Sequence, residues 1–367
     1  MTLDHRARKA AEAVRRYTDQ EVDPAAMLWR LRAHQRRRSA RAAAVAVALV
    51  AGLLAAAVMV ARAPPQPQVI ARPLGRVAAT IALPGTAFPR VVGVADGVVW
   101  VDGGNATAYR LDPQRNRVVG TLRLPAGSRL AAVGQGSLWL VDERAGTVSQ
   151  ATPGGRIVRT VGIGSVGVAR NPAEQGFRLA LDGGAVWVAN LHTEVVRLDW
   201  TRGKVAGRFT IGQLGDSHYD VIAAGSGVAL THGGPKDADQ LDPLTGTATA
   251  IHLGGLPTGA TFGAGSFWAS VDNSTLARID PASRRLVATI GLDADHLPGE
   301  VVVGDGAVWV FAGPGLLERV DPAGNRVVHT LPVGPDSTAY GQLAVGAGAV
   351  WLSDAEAHTL IRIDPQG

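Results

Sequence analysis

The side chains best suited to chemistry lie in short polar segments between apolar runs of this sequence. Imidazole and carboxylate groups can transfer protons or bind a divalent metal, and they need to converge to do either. The segment DSHYD at 216–220 stands out, because one loop carries a histidine, a tyrosine and two carboxylates. The candidate ligand-binding residues are His192, His218, Tyr219, Asp220, His232, Asp272, His296, Glu300, Tyr340, Asp354 and His358.

Each candidate also has a structural interpretation, since most loop histidines and carboxylates are only solvated, and DSHYD could equally be a capped turn. No catalytic residue is assigned, because the main domain has no GxSxG, HExxH, Walker A or Rossmann fingerprint. The sequence has no cysteine, which excludes disulfides, thiolate nucleophiles, Cys-ligated zinc and a lipoprotein anchor. No cofactor is predicted, and a divalent metal stays an open alternative.

An internal repeat defines the elements that position these residues. A glycine turn followed by an apolar strand recurs seven times, and the turn is Gly-x-Gly in five copies, ADG in the first and DGG in the third. The strand ends near a tryptophan in six copies and near Leu230 in the weaker copy GSGVALT. The seven anchors are 39, 48, 43, 38, 41 and 42 residues apart, close to the roughly 40–45 residues of a four-stranded propeller blade. The six tryptophans are predicted to fill the space between blades as core residues. They are Trp100, Trp139, Trp187, Trp268, Trp309 and Trp351.

A second motif, Asp followed by Pro, ends the next strand of most units. Because Asp-Pro suits the first two positions of a type I turn, these carboxylates are predicted to serve turns and not catalysis. The copies are Asp112-Pro113, Asp242-Pro243, Asp280-Pro281, Asp321-Pro322 and Asp364-Pro365, with degenerate forms at Asp199-Trp200 and Thr152-Pro153.

The two ends of the repeat region complement each other. The seventh unit stops at Asp364-Pro365-Gln366-Gly367 without a fourth strand, whereas GRVAATIALP at 75–84 has the fourth-strand pattern and no unit before it. We therefore predict an all-β, seven-bladed β-propeller over residues 73–367, closed by the N-terminal strand 75–84, because closure removes exposed sheet edges. The candidate residues then fall on loops after the tryptophan strands and between blades, where they could surround the mouth of the central channel.

The GAVWVAN-type and RIDP-type motifs resemble those of the YVTN-type bacterial β-propeller repeat family, over about residues 73–367. They are more distantly similar to the virginiamycin B lyase (streptogramin lyase) group. The resemblance implies a binding or scaffold module, with a few enzymes among the relatives. Those lyases use His and Glu with a divalent metal for elimination, and their catalytic set does not match this sequence residue by residue.

A candidate membrane span precedes the repeats. Residues 42–61 (AAAVAVALVAGLLAAAVMVA) contain no charge over 20 residues, which is the length of a transmembrane helix. Arginines at 36–38 and 41 precede this stretch, so the N-terminus is predicted to be cytoplasmic and the propeller extracytoplasmic. The alternative, a cleaved signal peptide, fits poorly because the preceding region is long and Pro64 follows the candidate cleavage triplet Ala61-Arg62-Ala63. Residues 62–72 are predicted to be a Pro-rich linker.

The positive charge of the chain belongs to its N-terminal tail. Residues 1–41 carry 11 basic and 5 acidic residues, and the rest of the chain carries 25 basic and 26 acidic. The main domain therefore lacks the basic stripe that nucleic-acid binding needs. Asp23-Pro24 is a good helix start, and the basic segment AAMLWRLRAHQRRR after it would either lie on the membrane surface or dock a cytoplasmic partner.

These observations favour a membrane-tethered, extracytoplasmic propeller that acts as a ligand-binding, protein-binding or scaffold module. The alternative is an extracytoplasmic, metal-dependent lyase or hydrolase of the streptogramin-lyase-like kind. Converging histidines and carboxylates on one face would favour the enzyme. A flat apolar or aromatic patch there would favour a protein partner.

Overall fold

A computed structural model describes residues 75–84, 89–164, 177–189, 194–211, 222–234, 236–293, 297–313, 315–334 and 342–366. All of them belong to the unit Ala71–Gly367. The predicted tail at 1–41, membrane span at 42–61 and linker at 62–72 lie outside the described residues. A helix long and apolar enough to cross a membrane is absent from the described ranges.

The described residues form 28 strands, all short. The first is β1 (Arg76–Ala82), and seven groups follow it. The first three groups are β2 (Arg90–Ala95), β3 (Val98–Asp102), β4 (Thr107–Asp112) and β5 (Arg117–Arg123); β6 (Ser128–Gly134), β7 (Ser137–Asp142), β8 (Thr147–Ala151) and β9 (Ile157–Gly162); and β10 (Arg178–Asp182), β11 (Ala185–Ala189), β12 (Glu194–Asp199) and β13 (Lys204–Thr210).

The remaining groups follow the same order. They are β14 (Ile222–Gly225), β15 (Val228–Gly234), β16 (Asp237–Asp242) and β17 (Thr247–His252); β18 (Pro257–Gly263), β19 (Ser266–Val271), β20 (Thr275–Asp280) and β21 (Arg285–Gly291); β22 (Val301–Gly304), β23 (Ala307–Gly313), β24 (Leu316–Asp321) and β25 (Arg326–Pro332); and β26 (Leu343–Gly346), β27 (Ala349–Asp354) and β28 (Thr359–Asp364).

Each of the first six groups forms a four-stranded antiparallel sheet in chain order. The three strands of the seventh group are joined by β1, and this sheet has the order β26-β27-β28-β1. In that sheet β1 pairs with β28, so that Ile81 lies opposite Leu360 and Ala82 opposite Thr359. The innermost strands of successive sheets contact each other, and β26 contacts β2, which closes the ring around a central channel. The prediction of an all-β, seven-bladed propeller is confirmed.

The position of a strand within its blade explains its sequence pattern. The second strand is buried on both faces between two neighbouring blades, so β11 (AVWVA) is apolar throughout and wholly buried. The fourth strand lies at the outer edge, and β21 (RLVATIG) alternates between exposed and more buried positions. These two patterns follow from burial on two faces and on one face respectively.

The repeated tryptophans lie between blades. Trp187 and Trp309 are 0% exposed, and Trp187 packs with Ala229 and Leu241 of the following blade. The indole N–H groups of four of these tryptophans donate to the carbonyl of the glycine five residues earlier, at 3.1–3.3 Å. Large aromatic rings therefore fill the wedge between sheets, and in four blades the polar atom of the ring is hydrogen-bonded. In the fourth blade Leu230 takes this place and is also 0% exposed.

The Asp-Pro motifs form turns, as predicted. Asp280 Oδ1 accepts hydrogen bonds from the backbone amides of Ala282 and Ser283, both at 2.8 Å. Asp112 and Asp321 accept amide hydrogen bonds in the same way. The amide of Ser283 and its neighbours hold the pKa of Asp280 below its usual value, because they favour the charged carboxylate.

An arginine in the third strand of five blades packs against one of the repeated tryptophans. Its guanidinium lies over the tryptophan of its own blade, with the carbon of the guanidinium 5.1–5.8 Å from the ring centroid. Arg278 also donates from Nη1 to the Pro322 carbonyl at 2.7 Å and to Asn325 Oδ1 at 2.9 Å, both in the next blade. Arg362 likewise donates from Nη1 to Asn116 Oδ1 of the neighbouring first blade at 3.2 Å, so Arg278 and Arg362 act as clamps between blades.

We expect Arg278→Ala to lower the free energy of unfolding by about 2–3 kcal/mol, because it removes charge-assisted hydrogen bonds and a cation–π contact. Chemical denaturation of the full-length chain measures this change. Arg285→Ala, which removes an exposed arginine of the outer strand β21, is the matched control and should change stability by less than about 0.5 kcal/mol. Equal effects of the two variants would contradict the clamp.

Candidate functional site

The antiparallel sheets bring two sets of loops to one end of the channel. The first residue of an innermost strand pairs with the last residue of the neighbouring tryptophan strand, as Arg90 does with Asp102 and Arg178 with Ala189. The segments that join blades and the segments after the tryptophan strands therefore share this end, which we call the channel mouth.

Residues of all seven blades line a cavity of about 320 Å³ at the channel mouth. Six of the blades each contribute one polar residue to this lining. These residues, here called the channel ring, are Arg90, Arg129, Arg178, Thr258, Glu300 and Gln342. The equivalent residue of the fourth blade, Val221, lies outside the described residues. The channel ring is therefore built by the repeat itself.

The repeat places all six channel-ring residues at equivalent positions, six or seven residues before the last glycine of the turn that follows the innermost strand. The extra residue occurs in the first, second and fifth blades, and a register shift in the innermost strand of each of these blades absorbs it. Such a bulge turns the side chain at the start of the strand by one position relative to its partner.

The three ring arginines come from consecutive blades and differ in their partners. Arg129 Nε lies 3.0 Å from Glu143 Oε1, and its Nη2 donates to the Phe177 carbonyl. Arg178 Nη1 lies 4.0 Å from Glu300 Oε2. Arg90 makes no hydrogen bond or close ion pair with another described residue, although Asp102 attracts it at longer range.

The charges at the channel mouth perturb one another. Burial, followed by repulsion from Arg129 and Arg178, lowers the pKa of Arg90 to about 10. Burial raises the pKa of Asp102, although Arg129 and the Leu130 amide, 3.3 Å from Oδ1, oppose the shift. Burial also raises the pKa of Glu300, and Arg178 opposes that shift. The site therefore holds several charges that are poorly hydrated.

Five of the predicted ligand-binding residues lie within the described ranges, and Glu300 alone among these five lines the cavity. His232 is wholly buried in β15. Asp354 is 2% exposed at the end of β27, and its Oδ1 accepts from the amides of Glu356 and Ala357. Asp272 is exposed and accepts from the Leu256 amide at 2.9 Å. His358 is exposed in a turn, with φ of 52°.

The other predicted residues lie outside the described residues. They are His192, His218, Tyr219, Asp220, His296 and Tyr340. In the part of the chain that the structure describes, three or more His, Asp or Glu side chains do not come together in a way that could hold a metal ion. What the described part of the site offers is a set of hydrogen-bond donors and charges around a small cavity.

The sequence reasoning missed the ring arginines. Each stands at the head of an apolar strand, in the segments FPRVV, GSRLA and GFRLA, where a basic residue is ordinarily a solvated strand end. A usable signal was present, because Arg90, Arg129 and Arg178 stand seven, seven and six residues before the last glycine of the turn in three consecutive repeats. Aligning the repeats on those turns would have revealed it.

A second buried carboxylate lies between the fifth and sixth blades. Glu318 in β24 is 0% exposed, and its Oε1 accepts from the Asp293 amide at 2.8 Å. Its Oε2 has no hydrogen-bond partner within the described residues. Burial raises the pKa of Glu318, since the charged form is poorly solvated there.

This carboxylate predicts a pH dependence of stability. Because its pKa in the folded protein exceeds the usual 4.5, the folded protein holds the proton more tightly than the unfolded chain does. The stabilisation is complete below that usual value and is lost as the pH rises through the raised pKa. Wild type should therefore lose more stability than Glu318→Gln as the pH rises from 4.5 through the raised pKa, as measured by denaturation at each pH. Parallel curves of stability against pH for the two proteins would contradict a raised pKa of the buried Glu318 carboxyl.

No protein-family model and no curated protein matches the chain. Among solved structures, the chain is similar to a streptogramin B lyase structure with 15% identity and a TM-score of 0.62, covering 79% of this chain and 97% of that one. It is similar to the computationally designed Ika8 protein with 10% identity and a TM-score of 0.54, covering 77% and 98%. It is also similar to BamB from Moraxella catarrhalis with 13% identity and a TM-score of 0.52, covering 74% and 84%. At these identities the likeness shows the β-propeller fold alone.

Proposed function

We propose that this chain is a membrane-tethered, extracytoplasmic β-propeller that binds a small-molecule ligand at its channel mouth. The observation that carries the proposal is the channel ring, in which six blades each contribute one polar residue to the lining of the same cavity of about 320 Å³. That volume lies near the lower end of the roughly 300–1,000 Å³ typical of small-molecule sites. Convergent polar groups in such a cavity provide orientation and specificity for a ligand.

The location is inferred from the sequence. The uncharged stretch at 42–61 has the length of a membrane span, and the arginines before it favour a cytoplasmic N-terminus. The resemblance of the repeats to the YVTN-type family supports a binding role, since most members of that family are binding or scaffold modules. The tail at 1–41 would then localise the protein or contact a cytoplasmic partner.

A small ligand is favoured over a protein partner by the distribution of apolar surface. The exposed large apolar residues of the described chain are spread over the outer strands of five blades and two connecting segments, and only Ile157 and Val158 are neighbours in sequence. They are Val77, Val119, Ile157, Val158, Leu244, Val287, Leu297 and Val328. Protein partners usually bind a contiguous apolar or aromatic patch. The polar groups instead converge on the concave channel mouth.

Thermal unfolding of the full-length chain with a collection of anionic, neutral and cationic small molecules tests this function. A ligand that binds only the folded state raises the unfolding midpoint by mass action. We expect at least one compound to do so, with a smaller shift for Gln342→Ala in the channel ring and an unchanged shift for Gln114→Ala in an outer turn. Absence of a shift with every charge class would overturn the proposal.

The same assay, after EDTA and with added Mg²⁺, Ca²⁺, Mn²⁺ or Zn²⁺, tests the lyase alternative. A shift with one metal that is lost on mutating His218 or Asp220 would favour a metal-dependent enzyme over a ligand-binding module.

A further inference from the structure

The channel ring is asymmetric in charge. Arg90, Arg129 and Arg178 occupy three consecutive blades, whereas the single acidic member, Glu300, belongs to the sixth blade. The other two carboxylates near the arginines, Asp102 and Glu143, do not line the cavity and stand at or just after the ends of tryptophan strands. Guanidinium groups therefore dominate one side of the cavity wall.

The described carboxylates at the mouth use only part of the hydrogen-bonding capacity of Arg129, and none of them makes a hydrogen bond with Arg90. Glu143 engages Arg129 through one 3.0 Å contact, and Glu300 only approaches Arg178, at 4.0 Å. Asp102 accepts from the Leu130 amide and makes no close ion pair with Arg90. The five N–H groups of Arg90 thus have no acceptor among the described residues.

A half-buried guanidinium with no acceptor among the described residues is costly for the free protein and gains most from an anion. Burial and two neighbouring arginines already disfavour the charge on Arg90. An oxyanion placed among the three arginines would accept hydrogen bonds and offset their mutual repulsion. The planar guanidinium fork matches the two oxygens of a carboxylate or phosphate group.

We propose that Arg90, Arg129 and Arg178 bind the oxyanion group, a carboxylate or a phosphate, of a small molecule held in the channel mouth. This assignment rests on the proposed function and adds to it the chemical class of the ligand. The cavity of about 320 Å³ limits that ligand to the size of a small metabolite. Glu300, facing Arg178, is the internal anion with which the ligand competes.

Calorimetric titration of the full-length chain with succinate and with inorganic phosphate tests the assignment, with chloride at equal ionic strength as the reference. We expect saturable binding of at least one of them, weakened about tenfold or more in Arg90→Gln and in Arg178→Gln. Preference for succinate would identify a carboxylate ligand, and preference for phosphate a phosphorylated one. Arg90→Lys, which keeps the charge and loses the fork, should fall between wild type and Arg90→Gln.

The matched control is Arg123→Gln, which removes one positive charge from the exposed outer strand β5 and should leave the affinity unchanged. Equal weakening in this variant would show a general charge effect and overturn the assignment. Binding of neutral or cationic compounds at the ring, without saturable anion binding, would overturn the oxyanion assignment while the ligand-binding function stands. Thermal unfolding of each variant establishes that it is folded.

Discussion

Replacing Trp309 with alanine is expected to lower the free energy of unfolding by about 3–5 kcal/mol. Its ring is 0% exposed and packs with Phe311, Leu343 and Leu352 between the sixth and seventh blades. The substitution removes this contact area and leaves a cavity that two rigid sheets cannot close. It also releases the Gly304 carbonyl, to which the indole N–H donates at 3.3 Å.

Denaturant unfolding of the full-length chain measures this loss, and Val287→Ala is the control. Val287 is 52% exposed on the outer strand β21, so its truncation should cost less than about 0.5 kcal/mol. A cost for Trp309→Ala as small as that of the control would show that the tryptophan does not lie between packed blades.

A disulfide between Ala82→Cys and Thr359→Cys is expected to form spontaneously and to stabilise the protein by about 2–4 kcal/mol. Ala82 of β1 pairs with Thr359 of β28, and the next pair is hydrogen-bonded through the Leu83 amide and the His358 carbonyl. Ala82 and Thr359 therefore occupy a non-hydrogen-bonded pair, where Cα atoms lie about 4.5 Å apart. That separation falls within the range of natural disulfides.

The cross-link would join the two ends of a very long loop, so it restricts the unfolded chain strongly. The natural chain has no cysteine, so the engineered pair has no competing thiol. Reduction of the same protein is the control and should return the stability of the uncrosslinked variant. Dimers formed through intermolecular disulfides, with free thiols in the monomer, would contradict the pairing of β1 with β28.

The fold was predictable because packing between blades repeats a local sequence pattern. Each second strand is buried on both faces and needs a large apolar residue before its end. Six blades place Trp there and the fourth places Leu230, so the regular spacing is recognisable in the sequence. The turn aspartates were predictable for the same reason, since Asp280 acts on amides only two and three residues away. Turns of this kind depend on residues that are close in sequence, so their residue types can be recognised in a short segment.

The site was predictable only in part, because it depends on ring closure. Glu300 and Arg178 approach each other only because their blades face the same channel. Polar loop residues drew attention in the sequence, yet Asp354 and Asp272 serve backbone amides of nearby turns or loops. The ring arginines begin apolar strands, where a basic residue is common. Only an alignment of the repeats on their glycine turns shows that the three arginines occupy equivalent positions.

The most direct test of an oxyanion site compares two channel-ring variants whose affinities for an anion should change in opposite directions. Glu300→Gln removes the internal anion beside Arg178, and Arg90→Gln removes a cation with no described acceptor. Calorimetric titration of both full-length proteins with the preferred anion, succinate or phosphate, should give tighter binding than wild type for Glu300→Gln and weaker binding for Arg90→Gln. Equal affinities in the two variants, or weaker binding in both, would contradict an oxyanion site at the channel mouth.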